Sequence, residues 1–206
     1  MVVAAAAIAT LLTACGSLFS PTPPAPHFYT LDGPAPITVT SHAASMSSLG
    51  PSAPAMVVAL PRAEAGFDTD RIVYVLEEHR LQPYADNQWI DTPARMLAPL
   101  ISAALSRTGA FGAVLQEPGP ASVRWELQSD IVRLQHEVIS ARFRFTLRVT
   151  LIEKRTGMVV LSQEFDASAP IIGAGPAAAV AAANVVVADV LRQVAAVCAS
   201  AVSGRP

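Results

Sequence analysis

The chain has 206 residues and a formal net charge of −2, with 14 Lys and Arg set against 16 Asp and Glu. That balance gives no strong electrostatic pull on nucleic acid, and two cysteines leave no room for a disulfide framework. The mean hydropathy of +0.42 is raised by an apolar N-terminus and by alanine, and does not indicate a polytopic membrane protein.

Residues 2–12 form a short apolar run that ends in small residues, the mark of a secretory signal. It is too short to cross a hydrocarbon core of about 30 Å as a helix, which takes roughly 20 residues. No Lys or Arg precedes the run, so translation is expected to start upstream of Met1. Leu12-Thr13-Ala14-Cys15 resembles the bacterial lipobox, in which cleavage leaves an acylated cysteine at the mature N-terminus. The expectation is a lipoprotein signal over residues 1–14, with Cys15 lipidated. Residues 15–26 form a tether rich in proline (Pro21, Pro23, Pro24, Pro26), which would run extended at about 3.1 Å per residue where it is polyproline-like. Gly16 stands where an aspartate would resemble an inner-membrane retention signal. That resemblance directs the protein to the outer membrane, facing the periplasm.

The domain is expected over residues 27–206. Phe28 to Leu31 is β-prone, and residues 33–55 return to Pro, Ser, Ala and Gly, a flexible surface loop. Met56 to Leu60 reads as a short buried strand. Arg71–Leu76 and Leu81–Tyr84 read as a hairpin around the polar turn Glu77 to Arg80, with Pro83 at an edge, where it offers no N–H to a ladder. Asp91-Thr92-Pro93 is a helix start with proline at the first helical position. Met96, Leu97, Leu100, Ile101, Ala104 and Leu105 make one helical stripe. Pro99 should kink that helix, since it removes a backbone bond, and Gly109 should follow its end. Phe111 to Leu115 is a short strand, and Pro118-Gly119-Pro120 a turn. Val123, Trp125 and Leu127 alternate with polar residues. Phe143, Phe145, Leu147, Val149 and Leu151 alternate with Arg142, Arg144, Thr146, Arg148 and Thr150, a period of two over ten residues that a helix cannot carry. Lys154 to Gly157 turns the chain into Met158 to Phe165, which completes an antiparallel meander, dry on one face and wet on the other. The last element, from about Pro176 to Val202, is an apolar-striped helix. Asp189 and Arg192 argue against a membrane span, and Cys198 on its stripe reads as a buried inert thiol.

Taken together, Phe28-Tyr29-Thr30-Leu31-Asp32, the block Gly66-Phe67-Asp68-Thr69-Asp70-Arg71-Ile72-Val73-Tyr74, the later Tyr84, Asn87 and Trp89, and Pro93-Ala94-Arg95-Met96-Leu97 form a series. It resembles the ABC-type transport auxiliary lipoprotein family, which includes outer-membrane lipoproteins of the Pqi type, over roughly residues 15–202. The resemblance implies an α+β domain, an antiparallel sheet with two helices packed on one face, and the element order fits this independently. It also implies a non-enzymatic accessory of an MCE-type ABC system that moves phospholipid or other hydrophobic molecules between the two membranes. Its partners would be an MCE-domain protein and the transporter subunits, with no cofactor, and self-association stays open. A structural lipoprotein of another secretion or outer-membrane biogenesis assembly is the alternative.

No catalytic residues come with the family. His27, His42, His79 and His136 have no metal-ligand spacing. There is no Gly-x-Ser-x-Gly elbow, and the acidic pairs Asp68/Asp70 and Glu77/Glu78 read as solvated loop residues. Gly173-Ala174-Gly175-Pro176-Ala177-Ala178 matches a loose dinucleotide fingerprint, but no second parallel strand follows it. Arg71, Tyr74, Tyr84 and Trp89 are the candidate partner-binding residues, because Tyr, Trp and Arg are common interface anchors. The other reading packs these aromatics against the first helix, and then moves the partner surface to the arginine-lined face of the sheet.

Overall fold

The computed structural model of the chain describes residues 25–32, 54–117 and 123–203. Cys15 and the lipobox, the tether up to residue 24, most of the 33–55 loop and the Pro118-Gly119-Pro120 turn lie outside the described residues. The elements run β1 (His27–Tyr29), β2 (Ala55–Val58), β3 (Arg62–Ala63), β4 (Arg71–Glu77), β5 (Arg80–Trp89), α1 (Pro93–Ser106), β6 (Val114–Leu115), β7 (Val123–Glu137), β8 (Arg142–Glu153), β9 (Met158–Pro170) and α2 (Gly175–Val202).

β7, 15 residues long, is the spine. One of its edges carries the expected meander: β8 pairs antiparallel with β7, and β9 antiparallel with β8. Its other edge is covered by three short parallel strands in succession. β2 sets Met56 opposite Trp125 and Val58 opposite Leu127, β3 sets Arg62 opposite Asp130, and β4 sets Tyr74 opposite His136. β5 returns antiparallel on β4, β1 lies parallel on β5, and β6 lies parallel beyond β2. The expectation of an antiparallel sheet is therefore corrected to a mixed one. Parallel neighbours need a crossover, and α1 supplies it between the β2–β5 region and β7.

Both helices share one side of the sheet. α2 lies over β8 and β9, while α1 packs beside α2 over β2 and β3. Beneath them Phe143, Phe145, Leu147, Val149 and Leu151 are fully buried, as their alternation predicts. On β7 the buried set is Trp125, Leu127, Ser129 and Ile131, then Leu134. A bulge between Ile131 and Arg133 shifts the parity by one. The opposite face is drier than expected: Thr146 is fully buried and Arg142 and Arg144 are half-buried, so of the three arginines only Arg148 stands exposed.

Proline opens α1 at Pro93, but Thr92 makes no side-chain cap; instead Asp91 Oδ1 accepts the Thr92 N–H at 2.7 Å. The helix continues through Pro99 to Ser106, and Gly109 follows with φ +68°, a left-handed conformation that glycine adopts without steric cost. Phe111 is a core residue that precedes β6 and does not belong to it. α2 has 28 residues and is long and apolar enough to cross a membrane by composition. In the fold it instead seals the core with twelve buried residues, from Ala179 to Val202, Cys198 among them. Burial pushes the Cys198 thiol up to about 12, which keeps it protonated and inert.

Candidate functional site

The expected partner-binding residues sit around the β4–β5 hairpin. Glu77 and Arg80 face each other across its two-residue turn, with Arg80 Nη1 donating to both Glu77 carboxylate oxygens at 3.2–3.3 Å. Tyr74 on β4 and Tyr84 on β5 meet with ring centroids 4.9 Å apart. Tyr74 donates its hydroxyl to Gln82 Oε1 at 2.9 Å. The Tyr84 hydroxyl shares a 2.5 Å hydrogen bond with Nδ1 of His136, which β7 carries directly opposite Tyr74.

Burial, and secondarily the neighbouring Tyr74, hold the Tyr84 hydroxyl above its ordinary pKa, and burial holds His136 below its own. At neutral pH the pair is therefore a neutral phenol donating to a neutral imidazole. His136 was not legible as a site residue, because a lone histidine in an alternating strand carries no local signal. The other two predicted residues stand apart. Arg71 is exposed and donates to the Ala85 carbonyl at 3.3 Å. Trp89 is only 2% exposed and closes β5 inside the core, so it is a packing residue and not part of a docking patch. It ends a strand, whereas the sequence placed it in the loop before α1.

The face of the sheet away from the helices is charge-compensated. Arg144 forks onto both oxygens of Asp166 at 2.9 and 2.8 Å, with Glu137 at 3.6 Å. Arg148 meets Glu164 at 3.0 Å, Arg62 meets Asp130 at 2.8 Å, and Lys154 meets Glu126 at 2.6 Å. The hydrogen bond from Arg144, with a second from Thr146, holds the Asp166 carboxyl below its ordinary range. An arginine-lined surface open to an anionic partner is thus not what these rows present.

At the hairpin end of this face lies a groove of about 700 Å³, with Val75, Leu76, Leu81 and Ile139 as its apolar residues and Arg133, Gln135 and Arg144 among its polar ones. Among the described residues no group of three or more His, Cys, Asp and Glu could hold a metal ion.

A second polar residue with a positional role is Asn184 on α2. Its Oδ1 accepts the Asp32 N–H at 2.7 Å, and its Nδ2 donates to the Thr30 carbonyl at 3.3 Å. It clasps the segment leaving β1, whose Leu31 is buried in the core.

A Xanthomonas campestris protein of known crystal structure shares the fold at TM-score 0.66 and 21% identity, over 74% of this chain and 89% of that one. An uncharacterized protein of known structure matches at TM-score 0.66 and 14% identity, over 87% and 100% of the two chains. PelC from Paraburkholderia phytofirmans, solved as a dodecamer, aligns at TM-score 0.41 and 16% identity, over 66% and 82%. No curated protein sequence matches the chain. The family model of the ABC-type transport auxiliary lipoprotein component matches residues 29–195, from the end of β1 almost through α2, and the chain belongs to that family.

Proposed function

We propose that this chain is the lipid-anchored auxiliary component of an MCE-type ABC system that moves phospholipid or other hydrophobic molecules between the inner and outer membranes. Acylated Cys15 holds it on the periplasmic face of the outer membrane. Its domain binds and positions the MCE-domain protein and, through it, the transporter subunits, with no chemistry of its own. The observation that carries this reading is the family match over residues 29–195, which begins directly after the tether that follows the lipobox. Two acyl chains give the stable anchoring that one chain does not. The docking residues proposed are Arg71, Tyr74 and Tyr84, with His136 fixing the Tyr84 ring.

The test is recovery of the lipidated protein from solubilised envelopes, with its partners identified by mass spectrometry. Co-purification of an MCE-domain protein with a permease and an ATPase is expected, as is loss of membrane fractionation in Cys15→Ser. Recovery of a secretion or outer-membrane biogenesis assembly in their place would overturn the transport reading.

A further inference from the structure

Three connections meet at one end of the sheet. They are the β4–β5 turn at Glu78-His79, the β7–β8 turn at residues 138–141, and the link from β9 to α2 at residues 171–174. The last two are hydrogen-bonded to each other, Ile171 N–H donating to the Ala141 carbonyl at 2.8 Å. This end presents Ile172, 88% exposed, and Ile139, 84% exposed, the two most exposed large apolar side chains in the described structure. Leu76 and Leu81 stand exposed beside Ile139 in the lining of the groove. Water gains nothing from such a set, and an apolar cluster at loop tips marks a surface that something covers. The charges around it offset one another, Glu77, Glu78 and Glu137 against Arg80, Arg133 and Arg144, with Glu77 paired to Arg80 and Glu137 to Arg144.

The direction of β1 says what covers it. β1 runs parallel to β5 with His27 opposite Asn87 and Tyr29 opposite Trp89. β5 starts at the hairpin turn, so the N-terminal end of β1 points toward that same end of the sheet. From the level of Asn87 to Arg80 is seven residues of strand, about 23 Å. Twelve residues separate Cys15 from His27, a reach of about 37 Å at polyproline spacing. The tether is therefore long enough to pass the hairpin turn, and too short to let the domain stand far off.

We infer that the sheet end formed by the β4–β5 turn, the β7–β8 turn and the β9–α2 link rests on the lipid surface that holds the acylated Cys15, with Ile139 and Ile172 among the headgroups. The occupant is a zwitterionic phospholipid surface, which suits an end whose charges offset one another. Apolar side chains in such a position enter the headgroup and acyl boundary by about 5–10 Å. The inference rests on the proposed acylation of Cys15.

The test uses the full-length lipidated protein in phosphatidylethanolamine-rich vesicles. An environment-sensitive probe is attached at Ile139→Cys, at Ile172→Cys, or at Val159→Cys beside the β8–β9 turn at the opposite end, where Val159 is 54% exposed. All three positions are exposed, so folding is unaffected, and the buried Cys198 takes no label. Brominated lipid chains are expected to quench the probes at 139 and 172 about twofold or more, the shallow-insertion signature, and to leave the probe at 159 unchanged. Mass spectrometry of the N-terminal peptide reads acylation separately. An acyl mass on Cys15 without quenching at 139 and 172 overturns the docking and leaves the anchor standing. Absence of an acyl mass on Cys15 overturns the anchor and, with it, the docking that rests on it. A probe at 139 that is shielded only as protein concentration rises, with no quenching by brominated lipid, assigns the patch to a second copy of the chain and also overturns the docking.

Discussion

Phe145 and Arg144 are neighbours on β8 that point to opposite faces, and truncating each to alanine separates core packing from surface charge. Phe145 is fully buried, with Leu134 opposite it on β7 and Ala167 on β9. Strands hydrogen-bonded on both sides cannot collapse into the space its ring leaves, so Phe145→Ala should cost about 3–5 kcal/mol. That is a large share of the roughly 5–15 kcal/mol that holds a domain together. Arg144 loses a two-pronged bond to Asp166 and a longer contact to Glu137, all on a partly exposed face. After solvent screening, such a pair contributes about 0.5–1 kcal/mol. Urea denaturation followed by tryptophan fluorescence reads both at unchanged slope. At roughly 2–4 °C per kcal/mol for a domain of this size, the Phe145 variant should melt about 6–20 °C lower and the Arg144 variant within about 4 °C of wild type. Equal losses from the two substitutions would refute the assignment of the two faces.

Trp89→Ala should lower the melting temperature as a core truncation does, whereas Tyr84→Ala should lose the MCE partner in co-purification with little change in melting; unfolding of the Tyr84 variant would make the Tyr74–Tyr84 pair packing only. Ala141, held at φ +49° in the β7–β8 turn, should gain about 0.5–1 kcal/mol on replacement by glycine, seen as a raised urea midpoint. Glu126, Glu153 and Asp166 all have carboxyls held below their ordinary values, chiefly by hydrogen bonds from Gln128, Thr156 and Arg144 respectively. The unfolded chain binds those protons first, so this stability is fully present above the ordinary carboxylate pKa and is lost as pH falls through the lower folded values. The urea midpoint should drop in that acid window, less steeply in Asp166→Asn. Cys198 should resist thiol reagents in the native protein and react once denatured, as its raised pKa and burial require.

The parts of the fold that repeat at short range were legible. The ten-residue alternation of β8, the proline-opened α1 and the apolar stripe of α2 each carry their period within one window. β7 was seen only at its start, because polar Ser129 takes the next buried position and the bulge at Ile131/Arg133 then shifts the period. The parallel pairings of β2, β3 and β4 on β7 leave no local trace, since register between distant segments is decided by packing and not by adjacent residues. Between β4 and β5, Arg71 faces Gln88 while Val73 faces Pro83. That irregularity hid the continuation of the strand to Trp89 and its burial. At the candidate site Tyr74 and Tyr84 were named from the sequence as docking or packing residues, and their ring contact with each other fits either reading. His136 and Asn184 were not singled out, because each acquires its role from a partner far away in sequence.

The clasp at Asn184 has a consequence for how the domain comes into being. Its two hydrogen bonds join positions 152 and 154 residues apart, so the first described strand is secured by the last helix to be synthesised. Contacts of such separation are the slow ones to form, because the loop they close must be ordered before they repay it. A chain emerging N-terminus first can pair β1 with β5, but the clasp on Thr30 and Asp32 forms only once α2 has followed. Truncation anywhere before Asn184 should therefore leave the segment after β1 unclasped and expose at once the apolar underside of β8.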